Sequence, residues 1–367
     1  MIRWSSLASL LIVLVAACDQ AGGGGTDDPF AAAIPDADML ALAFDDTEGL
    51  SSALGADAEV APVPGGYRQL AQAVMIRLNL LMSTTGAAVA TLTGAVEPVE
   101  VTQGATTCKT WEGNAEAVHW TLLACLKDKG ALKYGFALKG RAVGTDAADD
   151  LVVLAGEGKA MPAWNGKKRG VGRVGFNFDH LGTLTGTSIG GRLGIAYRSV
   201  GIVRALNLGL DQVVATEGDQ PRSGVYRFRL LIGKGGRFAY LDTGDYLAVE
   251  GGQLVEGQDF VDEHVRVAAG WRTDGWARTV RAACGGSVGE GQCVRVAACW
   301  DAGASLTWQA LLDPGQEIAW EPAECQDVPL EILGEPSDDD VALPQGTDDE
   351  SAAPVLPEPE ILPEEGE

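Results

Sequence analysis

Residues 226–240 read Tyr-Arg-Phe-Arg-Leu-Leu-Ile-Gly-Lys-Gly-Gly-Arg-Phe-Ala-Tyr. Tyr226, Phe228 and Leu230 alternate with Arg227 and Arg229. That is the pattern of a half-buried strand, because successive side chains of a strand point to opposite faces. Lys234-Gly235-Gly236 then turns the chain toward Phe238 and Tyr240. The pattern spreads outward in both directions. Residues 131–143, 151–161 and 192–200 predict further strands, and Leu306, Trp308, Ala310 and Leu312 alternate with Ser305, Thr307 and Gln309. From about 89 to 312, short alternating runs are separated by glycine-rich turns with no intervening helical pattern. This predicts a mostly β fold, an antiparallel meander forming an open barrel or a sandwich. The body, residues 67–326, is long enough to bury a proper core.

One internal repeat stands out. Val265-Arg266-Val267-Ala268-Ala269-Gly270-Trp271 recurs as Val294-Arg295-Val296-Ala297-Ala298-Cys299-Trp300, offset by 29 residues. The offset fits one hairpin plus its connection, so a repeated two-stranded element of one sheet is expected. Arg266, Trp271, Trp276, Arg278, Arg281, Arg295, Trp300 and Trp308 concentrate on these late strands, with Arg266, Trp271, Trp276, Arg295, Trp300 and Trp308 the candidate binding set. Guanidinium and aromatic groups on one sheet face would bind a glycan or an anionic envelope component by stacking and bidentate hydrogen bonds. The competing expectation is core tryptophans with a solvated arginine row outside, as a half-buried strand needs for folding alone.

Residues 67–83 predict one packed amphipathic helix. Leu70, Val74, Leu78, Leu81 and Met82 share a face, and Met75, Ile76 and Leu80 extend the apolar surface around it. Arg68, Arg77 and Asn79 interrupt a segment already too short to span a bilayer.

Charge divides the chain unevenly. The net charge is −24, yet residues 19–66 hold ten acids and no base, and residues 313–367 hold eighteen acids and no base. The middle is therefore close to neutral. Residues 18–66, with Gly22-Gly23-Gly24-Gly25 near their start, read as a flexible tether. Residues 327–367, rich in Pro, Asp and Glu, cannot bury enough apolar area to offset their ordering entropy and are expected to be disordered. Such acidity opposes nucleic-acid binding.

Arg3 and the apolar run at 7–15 lead into Ala16-Ala17-Cys18, the layout of a signal peptide over residues 1–17. Val15-Ala16-Ala17-Cys18 resembles the lipobox of bacterial lipoproteins. The resemblance implies cleavage before Cys18, a diacylglyceryl group on its thiol and a further acyl chain on the new amino terminus, enough for stable anchoring. Asp19 follows directly, a feature tied in enteric bacteria to retention in the inner membrane, while the outer membrane is otherwise favoured. Six cysteines remain: Cys108, Cys125, Cys284, Cys293, Cys299 and Cys325. An even number in an oxidising compartment points to disulfides, with neighbour pairing the simplest arrangement. No CxxC spacing or histidine cluster suggests a metal site.

Three motifs compete with bland readings. Gly186-Thr187-Ser188-Ile189-Gly190 matches the nucleophile elbow of serine hydrolases, with His264 or His180 as conceivable base, but a strand follows it and a hairpin turn explains it better. Gly170-Val171-Gly172-Arg173-Val174-Gly175 matches GxGxxG, but Phe176-Asn177-Phe178 reads on as strand, not as a nucleotide-binding helix. The late acidic clusters lack calcium-loop spacing.

The chain is therefore expected to be a lipid-anchored envelope protein, not an enzyme and without cofactor. It would act as a structural or interaction module contacting the membrane through Cys18 and an envelope protein, glycan or lipid. An alternative is a carrier of an acyl chain or lipid, similar in architecture to the half-barrel of periplasmic lipoprotein carriers. A Cys18→Ala variant is expected to lose labelling by a fatty-acid analogue and to move from the membrane fraction to the soluble fraction.

Overall fold

The computed structural model describes Phe30, residues 37–40, Leu42 and residues 96–328, with breaks at 104–105, 116, 129–132, 165–166, 215–220, 245–248, 251–252, 255–262, 304 and 313–315. The lipobox, the tether, the helix expected at 67–83 and the tail beyond Val328 lie outside the described residues. After the short helix α1 (Ala37–Leu40) come β1 (Val99–Gln103), β2 (Thr106–Ala115), β3 (Val118–Asp128), β4 (Lys133–Ala142), β5 (Leu151–Trp164) and β6 (Lys167–Asn177). Helix α2 (Phe178–Thr185) separates β6 from β7 (Gly190–Val200), β8 (Val203–Val214), β9 (Arg222–Leu231) and β10 (Gly235–Gly244). A hairpin of β11 (Val249–Glu250) and β12 (Gln253–Leu254) precedes β13 (Glu263–Arg272), β14 (Ala277–Gly285), β15 (Gly289–Trp300) and β16 (Leu306–Leu312), and α3 (Ala323–Gln326) follows.

Fourteen of these strands form one antiparallel sheet in which every strand pairs with its neighbour in sequence, the β11–β12 hairpin alone standing aside. Among the described residues the main sheet is one sheet, without the second facing sheet of a sandwich. Among the described residues β1 pairs only with β2 and β16 only with β15, so the sheet is not closed.

The meander carries one register across many strands, and the pleat then assigns each residue a face. On the inner face one line runs Trp111, Leu122, Leu138, Leu154, Phe176, Leu193 and Leu210, each directly opposite the next. A second runs Leu206, Phe228 and Phe238. Nearly all these side chains are buried, in one continuous core that also takes in Phe30, Met39, Leu40 and Leu42. Burial of each large side chain contributes about 1.5–3 kcal/mol.

Glycines let the inner face accept its rings. Tyr134, Gly158, Gly172 and Tyr197 are successive members of one inner line. The two phenols lean toward each other over the glycines until their hydroxyls are 2.6 Å apart. A Cβ on Gly172 would sit 2.6 Å from Tyr197 Oη and 2.4 Å from the Glu157 carbonyl. Likewise the Phe136 ring covers Gly156, and the Trp271 indole covers Gly236. This accounts for Gly172 of the GxGxxG match, which serves close packing within β6.

The repeat follows the expected hairpin unit: its copies lie in β13 and β15, each the first strand of a hairpin, β13–β14 and β15–β16, within one sheet. Equivalent positions face the same β14 residue: Trp271 and Trp300 both oppose Ala277, and Gly270 and Cys299 both oppose Arg278.

The expectation that strand continues through Phe178 is corrected. The Asn177 side chain accepts from the His180 backbone N–H, capping α2, and left-handed Gly186 (φ 66°) ends it. Asp179 Oδ1 accepts from Gly191 N, tying this short helix to β7. Eight residues holding one glycine and two threonines carry almost no periodic signal.

All three disulfides join sequence neighbours, as expected. Cys108–Cys125 and Cys284–Cys293 bridge opposed residues of adjacent strands, and Cys299–Cys325 pins α3 to β15.

Gly172→Ala is expected to destabilise the protein by about 1–3 kcal/mol in urea unfolding, the usual range for overpacking. Burial raises the Tyr134 pKa to about 12 and that of Tyr197 as well. Above the ordinary value near 10 the unfolded chain releases these protons while the folded chain holds them. Stability is therefore full below pH 10 and falls up to about pH 12, by up to about 1.4 kcal/mol per pH unit per tyrosine. Denaturant titrations across that window should show the fall, and Tyr134→Phe should roughly halve its slope, leaving the share of Tyr197.

Candidate functional site

The outer face differs sharply from the inner one. Register places Lys133, Lys159, Val171, Arg198, Ala205, Arg229, Arg237, Gly270 and Arg278 in a single line, each opposite the next, from β4 to β14. The line ends in Cys299 and Trp308 on β15 and β16. Six of its members are cations, and none from β4 onward is an acid. At about 4.8 Å per strand it extends roughly 38 Å from Lys133 to Arg278. Lys133, Lys159, Arg198 and Arg229 are exposed.

A neighbouring outer line adds Arg173 and Arg227, with Asn207 and Ala196 between them. Arg173 is held by Glu157 at 2.6 Å. Arg229 and Arg237 lie directly opposite each other, an arrangement of like charges that works against folding. Guanidinium forks match carboxylate and phosphate oxygens bidentately, so the arginines of the row have the chemistry to pair with anionic groups.

One end of the row is already covered by the chain itself. Residues 316–328 cross the outer face of β14–β16, where Val280, Ala297 and Leu312 pack with Trp308, Ile318 and Trp320. Three consecutive members of the row hold this segment. Trp308 meets the Trp320 ring at 5.8 Å, Cys299 bonds to Cys325, and Arg278 Nη1 donates to the Gln326 carbonyl at 3.2 Å. The Arg278 guanidinium also lies 4.8 Å from the centre of the Trp320 ring. Burial there pulls its pKa down, opposed by the charge of Asp327. Val328 is fully buried, so the body reaches slightly past residue 326.

The six residues expected to bind are not brought together. Trp271 and Trp300 are buried in the inner core. Arg266 and Arg295 lie on the outer face in one line, separated by Ala282, and Arg295 Nη1 donates to the Gln316 carbonyl. Trp276 is half-buried in the turn between β13 and β14, whereas Trp308 belongs to the end of the basic row. Lys159, Arg198 and Arg237 carry no local binding signal in the sequence, although the Arg227/Arg229 alternation marks the face they share.

Ser188 is exposed in the connection that follows α2 and precedes β7, which is neither the expected hairpin turn nor the strand-to-helix order of a nucleophile elbow. No hydrogen bond joins it to His180 or His264 among the described residues. His180 Nδ1 instead donates to the Val152 carbonyl at 2.8 Å. Among the described residues no group of three or more His, Cys, Asp or Glu side chains could hold a metal ion, and no helix is long and apolar enough to cross a membrane. On the inner face Arg281, opposite Val267 and Val296, is largely buried, and desolvation lowers its pKa while nearby Tyr240 opposes the shift.

Compared with protein-family models, with curated proteins and with solved structures, the chain matches none. Arg229→Gln is expected to leave stability unchanged or to raise it by about 0.2–1 kcal/mol at low salt, since it removes a like-charge pair. Thermal unfolding at two salt concentrations checks this, with the gain vanishing as salt rises.

Proposed function

We propose that this chain is a lipid-anchored protein of the bacterial envelope whose β body is a non-catalytic interaction module that engages an anionic envelope glycan. The observation that carries the reading is the basic row, with six cations and no carboxylate in one register line from β4 to β16. Close cations repel one another and do nothing for the core, so their alignment is understood best through what they bind. A polymer bearing phosphate or carboxylate groups could follow the row, releasing counterions at each contact as polyelectrolytes do. The net charge of −24 does not oppose this, because the acids concentrate toward the two ends. Local potential is set by charges within a Debye length, about 8 Å at physiological salt. Acylation at Cys18 would hold the module at a membrane surface, the outer membrane being favoured, with residues 19–66 as its leash.

The carrier reading has one observation in its favour. Arg281 puts a cation among apolar inner residues, where it could meet the carboxylate of an acyl chain. It ranks second because the inner rings are already buried against protein atoms.

Exchanging Arg198, Arg229 and Arg237 together for Gln should lower the salt concentration at which the protein leaves a heparin column. The slope of log affinity against log salt should shrink by about two, at roughly 0.7–0.9 per lost anion contact. Unaltered elution from a variant that remains folded would contradict the reading.

A further inference from the structure

The structure does not leave the row equally open along its length. Its Arg278 end is occupied by residues 316–328, held by Arg278, Cys299 and Trp308 in succession. Gln316 meets Arg295 of β15, whereas Trp320 and Gln326 both meet Arg278 of β14. Beyond β14 the row continues through Gly270, then Arg237, Arg229 and, two strands on, Arg198. Beyond Val328 the chain has 39 more residues, with thirteen acids and no base.

We propose that this carboxy-terminal segment is the resident occupant of the basic row, running from Arg278 toward Lys159 and competing with any external polyanion. The spacing supports it. At about 4.8 Å per strand, Arg237, Arg198 and Lys159 lie roughly 10, 24 and 34 Å from Arg278. At about 3.4 Å per extended residue, Glu331, Glu335 and Asp338 fall within roughly 10, 24 and 34 Å of Val328. The first acids after the anchor thus meet the successive cations of the row, and Asp339 and Asp340 add charge at its far end. Attachment at Cys325 makes the encounter intramolecular, with an effective concentration in the millimolar range for a short linker. A weak charge interaction is therefore enough to keep the segment seated at low salt. The docking itself stands on the charge pattern and the anchor, whereas the competition rests on the anion-binding reading of the row.

The test compares the full chain with a full-length variant carrying Glu331→Gln, Glu335→Gln, Asp338→Asn, Asp339→Asn and Asp340→Asn, with heparin as the external probe. Backbone amide spectra at low salt are expected to differ at Arg198, Arg229, Arg237 and their strand neighbours, and to converge in 0.5 M sodium chloride. The variant is expected to bind heparin about tenfold or more tightly than the full chain. Spectra that coincide along the row at low salt overturn the proposal, whatever heparin does. Spectra that differ while heparin affinity stays equal uphold the docking and overturn the anion-binding reading.

Discussion

Unbroken antiparallel pairing from β1 to β16 is the constraint on which everything else in this molecule depends. Each strand of the sheet pairs with the next one along it, so alignment carries from strand to strand, with local bulges at seven of the pairs. Side chains alternate with a period of two, and a slip of a single residue would exchange the faces of a strand. The same rule that lines up Leu122, Leu138 and Leu154 inside lines up Arg198, Arg229 and Arg237 outside. Core and candidate site are two sides of one alignment.

Two devices protect that alignment. On the inner face, rings lie over glycines of adjacent strands: Phe136 on Gly156, Trp271 on Gly236, and the Tyr134–Tyr197 pair over Gly158 and Gly172. A shifted strand would set ring against ring, so each contact also selects the register. On the outer face, Cys108–Cys125 and Cys284–Cys293 lock opposed residues near the two ends of the sheet. Such bridges between near neighbours close short loops, and their value lies in holding position as much as in restricting the unfolded chain. The 49 glycines of this chain are thus partly structural partners of its aromatic residues, beyond supplying turns.

Much of the fold was legible in the sequence, for a local reason. Alternation in 226–240 and 305–312 marks strands directly, and neighbour pairing of cysteines follows once consecutive strands are adjacent. What was not legible depends on pairing between strands. Arg198 lies 31 residues before Arg229, and Arg229 eight before Arg237 across one turn, so only the register shows that all three form one line. The chosen residues Arg266 and Trp271 differ in parity, which already places them on opposite faces of β13. Trp308 stands on the outer face opposite Cys299, beside a bulge between Cys299 and Trp300 that no composition signal announces. Helix α2 escaped because its caps, Asn177 and Gly186, flank too few apolar residues to show a period.

The most direct check of this account is the register of β7–β10, read from cross-strand proton contacts in an isotope-labelled sample. The account predicts backbone contacts linking Arg198 to Ala205, Ala205 to Arg229 and Arg229 to Arg237. Contacts displaced by one residue, such as Leu230 facing Arg237, would turn alternate arginines toward the core and contradict it.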